Sequence, residues 1–177
     1  AAGCSSTILK ALCDRGLLEE YEVIVDRIPT GQIPVELVIQ PLSQAQQNAR
    51  DAINDAWQQK DVCLLHGVTS SGKTEIYIHL IAEVLKEGKQ VLYMLPEIVL
   101  TSQLTERLRK VFGNRLGVYH SRYTDAERVE VYRKQVSDQP CDIIVGVRSS
   151  VLLPFRNLGL IIIDEEHETS FKQTEPA

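Results

Sequence analysis

Gly67-Val-Thr-Ser-Ser-Gly72-Lys73-Thr74 sets two glycines, a lysine and a hydroxyl at the spacing G-x-x-x-x-G-K-[ST]. Glycines let a backbone wrap closely round an anion, so that its N–H groups and the N-terminus of a following helix face phosphate. In that cradle of Gly67, Thr69 and Gly72, Lys73 would reach the β- and γ-phosphates and the Thr74 hydroxyl would ligate Mg²⁺. About ninety residues downstream, Leu160-Ile-Ile-Ile163 runs into Asp164-Glu165-Glu166-His167. An apolar strand delivers such carboxylates to its C-terminal end, where the ligands of open α/β sheets collect. Asp164 is placed to hold Mg²⁺, directly or through water, and Glu165 to orient or deprotonate an attacking water. A carboxylate suited to polarising water points to hydrolysis rather than to transfer onto a small acceptor. An Asp-Glu pair after a strand is weak evidence by itself, and becomes strong beside a phosphate loop.

These residues need a particular set of elements beneath them. Val62 to Leu65, Val91 to Leu95, Leu116 to Tyr119, Ile143 to Val147 and Leu160 to Ile163 are short apolar runs. Helical stretches separate the first four: Lys73 to Glu87, Thr101 to Phe112 and Thr124 to Val136. Near-continuous apolar strands alternating with helices imply a parallel sheet covered on both faces, an α/β class of fold. Ser43 followed three residues later by Gln46 reads as a capping box opening a helix that runs into Trp57. Before Pro41 the pattern differs. Ile8, Leu9 and Leu12 recur at helical spacing, Leu17 to Val25 alternates as a strand, and Pro29, Gly31 and Pro34 mark a break. The expected organisation is a small remnant over 1–28, a linker over 29–40 and the α/β domain over 41–177.

Composition narrows the class without naming it. Apolar residues make up 44% and charged residues 24%, ordinary globular values that argue against disorder. No apolar run approaches the ~20 residues that cross a bilayer, and Ala1 to Thr7 has no signal-peptide pattern. A cytoplasmic protein without a membrane partner is the expectation. Cys4, Cys13, Cys63 and Cys141 show no Cys-x-x-Cys spacing, so they read as isolated thiols in or near the core and not as zinc ligands. The net charge of −5 argues on its face against nucleic acid. It is uneven, however: residues 101–135 hold eight Lys/Arg against four Asp/Glu, and residues 1–66 five against nine. A local basic stretch can still touch phosphates, or can be a solvated helix face.

Asp164-Glu-Glu-His167 resembles motif II of superfamily 2 helicases. Gly67-Val-Thr-Ser-Ser-Gly-Lys-Thr-Glu75-Ile-Tyr77 is similar to the extended phosphate loop of the bacterial primosomal helicases of the PriA family. Leu95-Pro96-Glu97-Ile98-Val-Leu100-Thr101 resembles their motif Ia, His120-Ser121 a short element after the next strand, and Gly146-Val-Arg148-Ser149-Ser150 their motif Ib. Pro154-Phe155, Asn157-Leu158-Gly159 and Ser170-Phe171-Lys172-Gln173 follow in the same order.

The resemblance implies a RecA-like P-loop lobe preceded by a short winged-helix-like remnant. It implies ATP and Mg²⁺ as cofactors, with zinc expected only in a second lobe beyond Ala177. The implied activity is an ATP-dependent 3′–5′ DNA helicase that acts at stalled forks in replication restart. The implied partners are forked or single-stranded DNA and the primosome and replication-restart proteins. Gln46 would read the adenine edge, a role that competes with the capping box. His167 would couple the nucleotide site to DNA. Thr101, Arg148 and Ser149 would grip phosphate oxygens, which carry no sequence information; Thr101 could equally be a helix cap. Phe171 would stack on a base or pack under the sheet. An arginine finger belongs to the absent lobe, so this chain alone is expected to hydrolyse ATP barely or not at all. The rival expectation is a nucleotide-dependent switch or scaffold that binds ATP without unwinding.

Overall fold

A computed structural model describes residues 39–68, 71–97, 99–100, 102–120 and 122–172. The remnant expected over 1–28 and nearly all of the linker lie outside these residues, as do Thr69, Thr101, Ser121 and Gln173. Among the described residues four α-helices and four strands follow in the order α1 (Gln44–Trp57), α2 (Lys73–Lys86), β1 (Gln90–Met94), α3 (Ser102–Phe112), β2 (Leu116–Tyr119), α4 (Asp125–Val136), β3 (Ile143–Gly146) and β4 (Leu158–Ile163). The strands form one parallel sheet in the order β2-β3-β1-β4. Parallel neighbours cannot be joined by a tight turn, so a helix bridges β1 to β2 and β2 to β3.

Local chemistry sets the helix ends. Ser43 and Gln46 form the expected capping box at α1, and Thr124 with Glu127 forms a second one at α4. Each box satisfies two amide donors that a helix start would otherwise leave unpaired. Helix α2 has no side-chain cap and follows Gly72, its N-cap residue, whose φ of +83° only glycine adopts cheaply.

Packing follows the two-residue alternation of the strands. Val91, Tyr93, Leu116, Val118, Ile143, Val145, Leu160 and Ile162 join Ile53 of α1, Ile78 and Ile81 of α2, and Leu108 and Phe112 of α3 in one core. On the opposite face Leu92, Ile144 and Val131 of α4 are also buried. At its lower end the sheet is tied by a buried polar side chain. Gln90 donates to Cys141 O at 2.9 Å and accepts from the amides of Arg156 and Asn157 at 2.8 and 3.2 Å.

Two expectations need correction. Coverage on both faces holds for β1, β2 and β3 but fails at β4, where Ile161 and Ile163 are each 48% exposed. Val62 to Leu65 is not a strand: it joins no ladder, and Val62 and Leu64 are 82% and 72% exposed. A strand exists only where a neighbour takes up its amides and carbonyls, and among the described residues β4 is hydrogen-bonded to β1 alone. Cys63, in the same run, is exposed rather than core, whereas burial at Cys141 pushes its thiol pKa up.

Candidate nucleotide and nucleic-acid site

The loop before α2 and the end of β4 meet in a cleft of 460 Å³. Gly67, Lys73, Asp164, Glu165 and His167 all line it, and Ile53, Trp57 and Leu80 give it an apolar wall. Lys73 Nζ donates to Gly67 O at 2.7 Å and stands 4.0 Å from the Glu165 carboxylate. The two motifs therefore converge on one cation and one carboxylate, although they lie far apart in the chain. Thr74 follows Lys73 in the first turn of α2 but does not line the cleft, and neither do Gly72 or Gln46.

Gln46 serves two elements at once. Its Oε1 accepts from the Ser43 amide at 2.9 Å, closing the capping box, and its Nε2 donates to Gly72 O at 3.2 Å. A Cβ on Gly72 would come within 2.4 Å of that nitrogen, so the close approach needs glycine as much as the backbone turn does. The capping reading is borne out, and the glutamine amide is anchored beside the phosphate loop.

Asp164 is buried at 8% exposure and is held by three donors. The Tyr93 hydroxyl donates to Oδ2 at 3.0 Å, while the Tyr77 hydroxyl and the Glu165 amide reach Oδ1 at 3.5 and 3.2 Å. Burial first, and then the Asp164 charge, drive both phenol pKa values far upward, so both stay donors. Glu165 occupies the left-handed region at φ +53°, a conformation worth about 1–3 kcal/mol of strain in a residue with a side chain. The kink turns its carboxylate back toward Lys73. His167 is 66% exposed in its side chain and lies 3.7 Å from both Glu165 and Glu166, which gives Glu166 a neighbour that the sequence did not suggest.

Carboxylate and hydroxyl oxygens are the donor types Mg²⁺ takes, with its other positions left to water and phosphate; of Asp164 and Thr74, only Asp164 lines the cleft. Among the described residues no trio of His, Cys, Asp and Glu is gathered for a metal, and a site of this kind does not require one.

The residues expected on DNA stand elsewhere. Arg148 and Ser149 open a short 3₁₀ turn directly after β3, and both are exposed. Ser150 behind them is fully buried and donates to Val147 O at 2.6 Å, which fixes the turn. A Cβ on Gly146 would meet Tyr119 O at 2.8 Å, so the strand end packs tightly enough to aim the turn. Phe171 ends a second 3₁₀ turn and is half-buried. Part of the basic stretch over 101–135 is already paired: Arg107 with Glu75, Arg115 with Asp142 and Lys110 with Glu106.

Tyr93 is the residue that sequence reasoning missed. The available signal was a phenol inside the otherwise aliphatic run Val91-Leu-Tyr-Met-Leu95, whose hydroxyl must find a partner when buried. Its partner, however, lies 71 residues away.

A DEAD/DEAH box helicase model matches residues 43–177. The replication restart protein PriA of Bacillus subtilis (strain 168) is 40% identical over 174 residues, covering 97% of this chain and 22% of that protein. PriA of Synechocystis sp. is 40% identical over 177 residues, 99% of this chain and 21% of that protein. PriA of Rickettsia conorii is 46% identical over 147 residues, 83% and 22% respectively. The chain therefore spans about a fifth of the length of these relatives. Among the described residues no helix is long and apolar enough to cross a membrane.

Proposed function

Because the chain belongs to the DEAD/DEAH box helicase family, we propose that it is the ATP-binding lobe of a DNA-dependent motor acting in replication restart. The observation that carries this reading is the meeting of Lys73 and Glu165 at 4.0 Å in one cleft, beside a buried Asp164. Lys73 leaves Gly67 O for the β/γ-phosphates, and the N-terminus of α2 supplies amides to the same anion. Mg²⁺ bound by Asp164 and Thr74 would neutralise charge on the transferring phosphate. Glu165 orients the attacking water and accepts its proton, and its strained backbone holds the carboxylate over the lysine. Gln46, already anchored at Gly72, reads the adenine edge.

Arg148 and Ser149 face solvent on a rigid turn at the end of the same sheet. They suit phosphate contacts, with Thr101 and Phe171 completing the DNA path. His167, clasped between Glu165 and Glu166, links hydrolysis to that path. The 3′–5′ polarity, the preference for stalled forks and the primosome partners follow from likeness to the PriA relatives. So does a second lobe, which would hold an arginine finger worth ~10³–10⁵ in rate. The 177-residue chain alone should therefore turn over ATP barely or not at all.

Lys73→Ala removes the one cation poised in the cleft. Calorimetry with Mg²⁺-ATP should show affinity lost by about tenfold or more with the melting temperature kept. Equal affinities would sink the assignment. In a protein carrying both lobes, ATPase stimulation by fork DNA marks a motor, whereas binding without stimulation marks a switch.

A further inference from the structure

Tyr93 sits in the middle of β1 with none of its surface exposed. Phenylalanine would fill the same space, and a buried hydroxyl costs free energy unless it is paired. This one is paired, at 3.0 Å, to Asp164 Oδ2. Asp164 needs the bond as much as Tyr93 does. It is almost fully buried, and the ion pair at the site joins Lys73 to Glu165 and not to Asp164. Tyr77 approaches the other carboxylate oxygen from α2, the helix that carries Lys73 and Thr74. The two phenol rings meet edge to face at 5.7 Å and 71°, so each limits the swing of the other. The strand from which Tyr93 rises is hydrogen-bonded to the strand that ends in Asp164, and the Asp164 amide itself donates to Met94 O at 3.0 Å. Donor and acceptor are thus fixed by one ladder, while the carboxylate still lines the cleft.

We propose that Tyr93, supported by Tyr77, is a positioning residue for Asp164, locking the carboxylate in the orientation that receives the Mg²⁺ of a bound nucleotide. The proposal rests on reading the cleft as a Mg²⁺-nucleotide site. Partners that orient a metal ligand are typically worth 10–100-fold in metal affinity. Tyr93 therefore sets how much Mg²⁺ the site needs, and touches neither the nucleotide nor the water.

The test follows binding of a fluorescent ATP analogue to the 177-residue chain across a Mg²⁺ titration, for the wild type, Tyr93→Phe and Tyr77→Phe. Tyr93→Phe should raise the Mg²⁺ midpoint about tenfold or more. Its nucleotide affinity should match the wild type both in EDTA and at saturating Mg²⁺. Tyr77→Phe should shift the midpoint less, because its hydrogen bond is longer. An unchanged or lowered midpoint in Tyr93→Phe overturns the proposal. So does an affinity loss of the same size at every Mg²⁺ concentration, which would mark a packing role. If Tyr93→Phe does not fold, the near-UV tyrosine band of the wild type is read instead. Adding Mg²⁺ to the nucleotide-loaded chain should perturb it, and a silent band overturns the proposal. Wild-type protein that binds no nucleotide at any Mg²⁺ concentration sinks the reading of the cleft itself. Wild-type binding with equal midpoints in the variants sinks only the role of Tyr93.

Discussion

The two sides of the sheet are built to different standards. On the β1-β3-β2 side every strand has its ladder, both faces are covered, and Val91, Ile143, Ile144 and Val145 have no exposed surface. On the β4 side Ile161 and Ile163 are half-exposed, and Val62 and Leu64 of the run before the phosphate loop stand in solvent. The chemistry nevertheless gathers on the open side: Lys73, Asp164 and Glu165 all line a cleft bounded by β4 and residues 63–68. What steadies it there is a set of polar contacts, most of them between segments far apart in the chain, rather than a packed core. Lys73 is held by Gly67 O, Asp164 by two phenols, and Gln46 bolts α1 to Gly72. The closed side supports the site at second hand, through the hydrogen bond from Tyr93 to Asp164. A rigid scaffold with its reactive groups on mobile or open margins is the common division of labour in α/β proteins.

Breaking the chemistry while leaving both sides standing should give the largest effect. In a protein carrying both lobes, Glu165→Gln should keep ATP affinity and lose about 10²–10⁴ in kcat, the usual worth of a positioned general base. Asp164→Ala should weaken Mg²⁺-ATP binding as well. An interaction made only in the transition state shows in rate and not in ground-state affinity. Equal losses of affinity in the two variants would require the roles to be reassigned.

The contrast in packing has its own measure. Ile143→Ala, in the fully buried strand β3, should cost about 2–5 kcal/mol in urea unfolding. Leu64→Ala, on the open side, should stay within about 0.5 kcal/mol, as exposed substitutions usually do. Similar costs at the two positions would mean that residues 62–65 are packed in solution and that the two sides are alike.

Much of this division was legible in the sequence, because it rests on local pattern. Helix starts at Ser43 and Thr124 follow from side chains three residues from their partners, and β2 spans the residues that its apolar run marked. Non-local pairing was illegible. Val62 to Leu65 looks as strand-like as Ile143 to Val147, and only the presence of a neighbour separates them. Tyr93 looks like one more core residue until the fold sets it under Asp164. The left-handed backbone at Glu165 leaves no mark on composition, since the residue itself disfavours it.

Gly72 ties the phosphate loop to α1 through Gln46, and changing it tests the open side at smaller scale. Gly72→Ala forces a side chain into the left-handed region, at about 1–2 kcal/mol. It also drives Gln46 off the Gly72 carbonyl, since its nitrogen lies 2.4 Å from the new Cβ. Thermal unfolding should come a few degrees lower, and ATP should lose its advantage over GTP in binding. A variant that melts earlier but keeps its base preference would detach Gln46 from adenine reading and leave it as a cap.

The smallest effect belongs to His120, at the end of β2 on the closed side. Its ring packs against Tyr123 with centroids 3.9 Å apart, and among the described residues its buried Nδ1 has no hydrogen-bond partner. Burial first, then the Arg122 charge, holds its pKa below the ordinary 6.5, while Glu127 and Glu97 pull the other way. The fold therefore favours neutral imidazole. Below about pH 6.5 the unfolded chain binds a proton that the folded chain resists, so stability rises with pH through that window. This contribution is complete above the unfolded pKa and is lost as pH falls toward the folded one. His120→Gln should remove that part of the slope just below the ordinary imidazole pKa and leave the plateau above it nearly unchanged, because glutamine cannot titrate. Urea midpoints collected across the window for both proteins give the comparison. A slope of the same steepness in the variant would show that the acid sensitivity arises elsewhere.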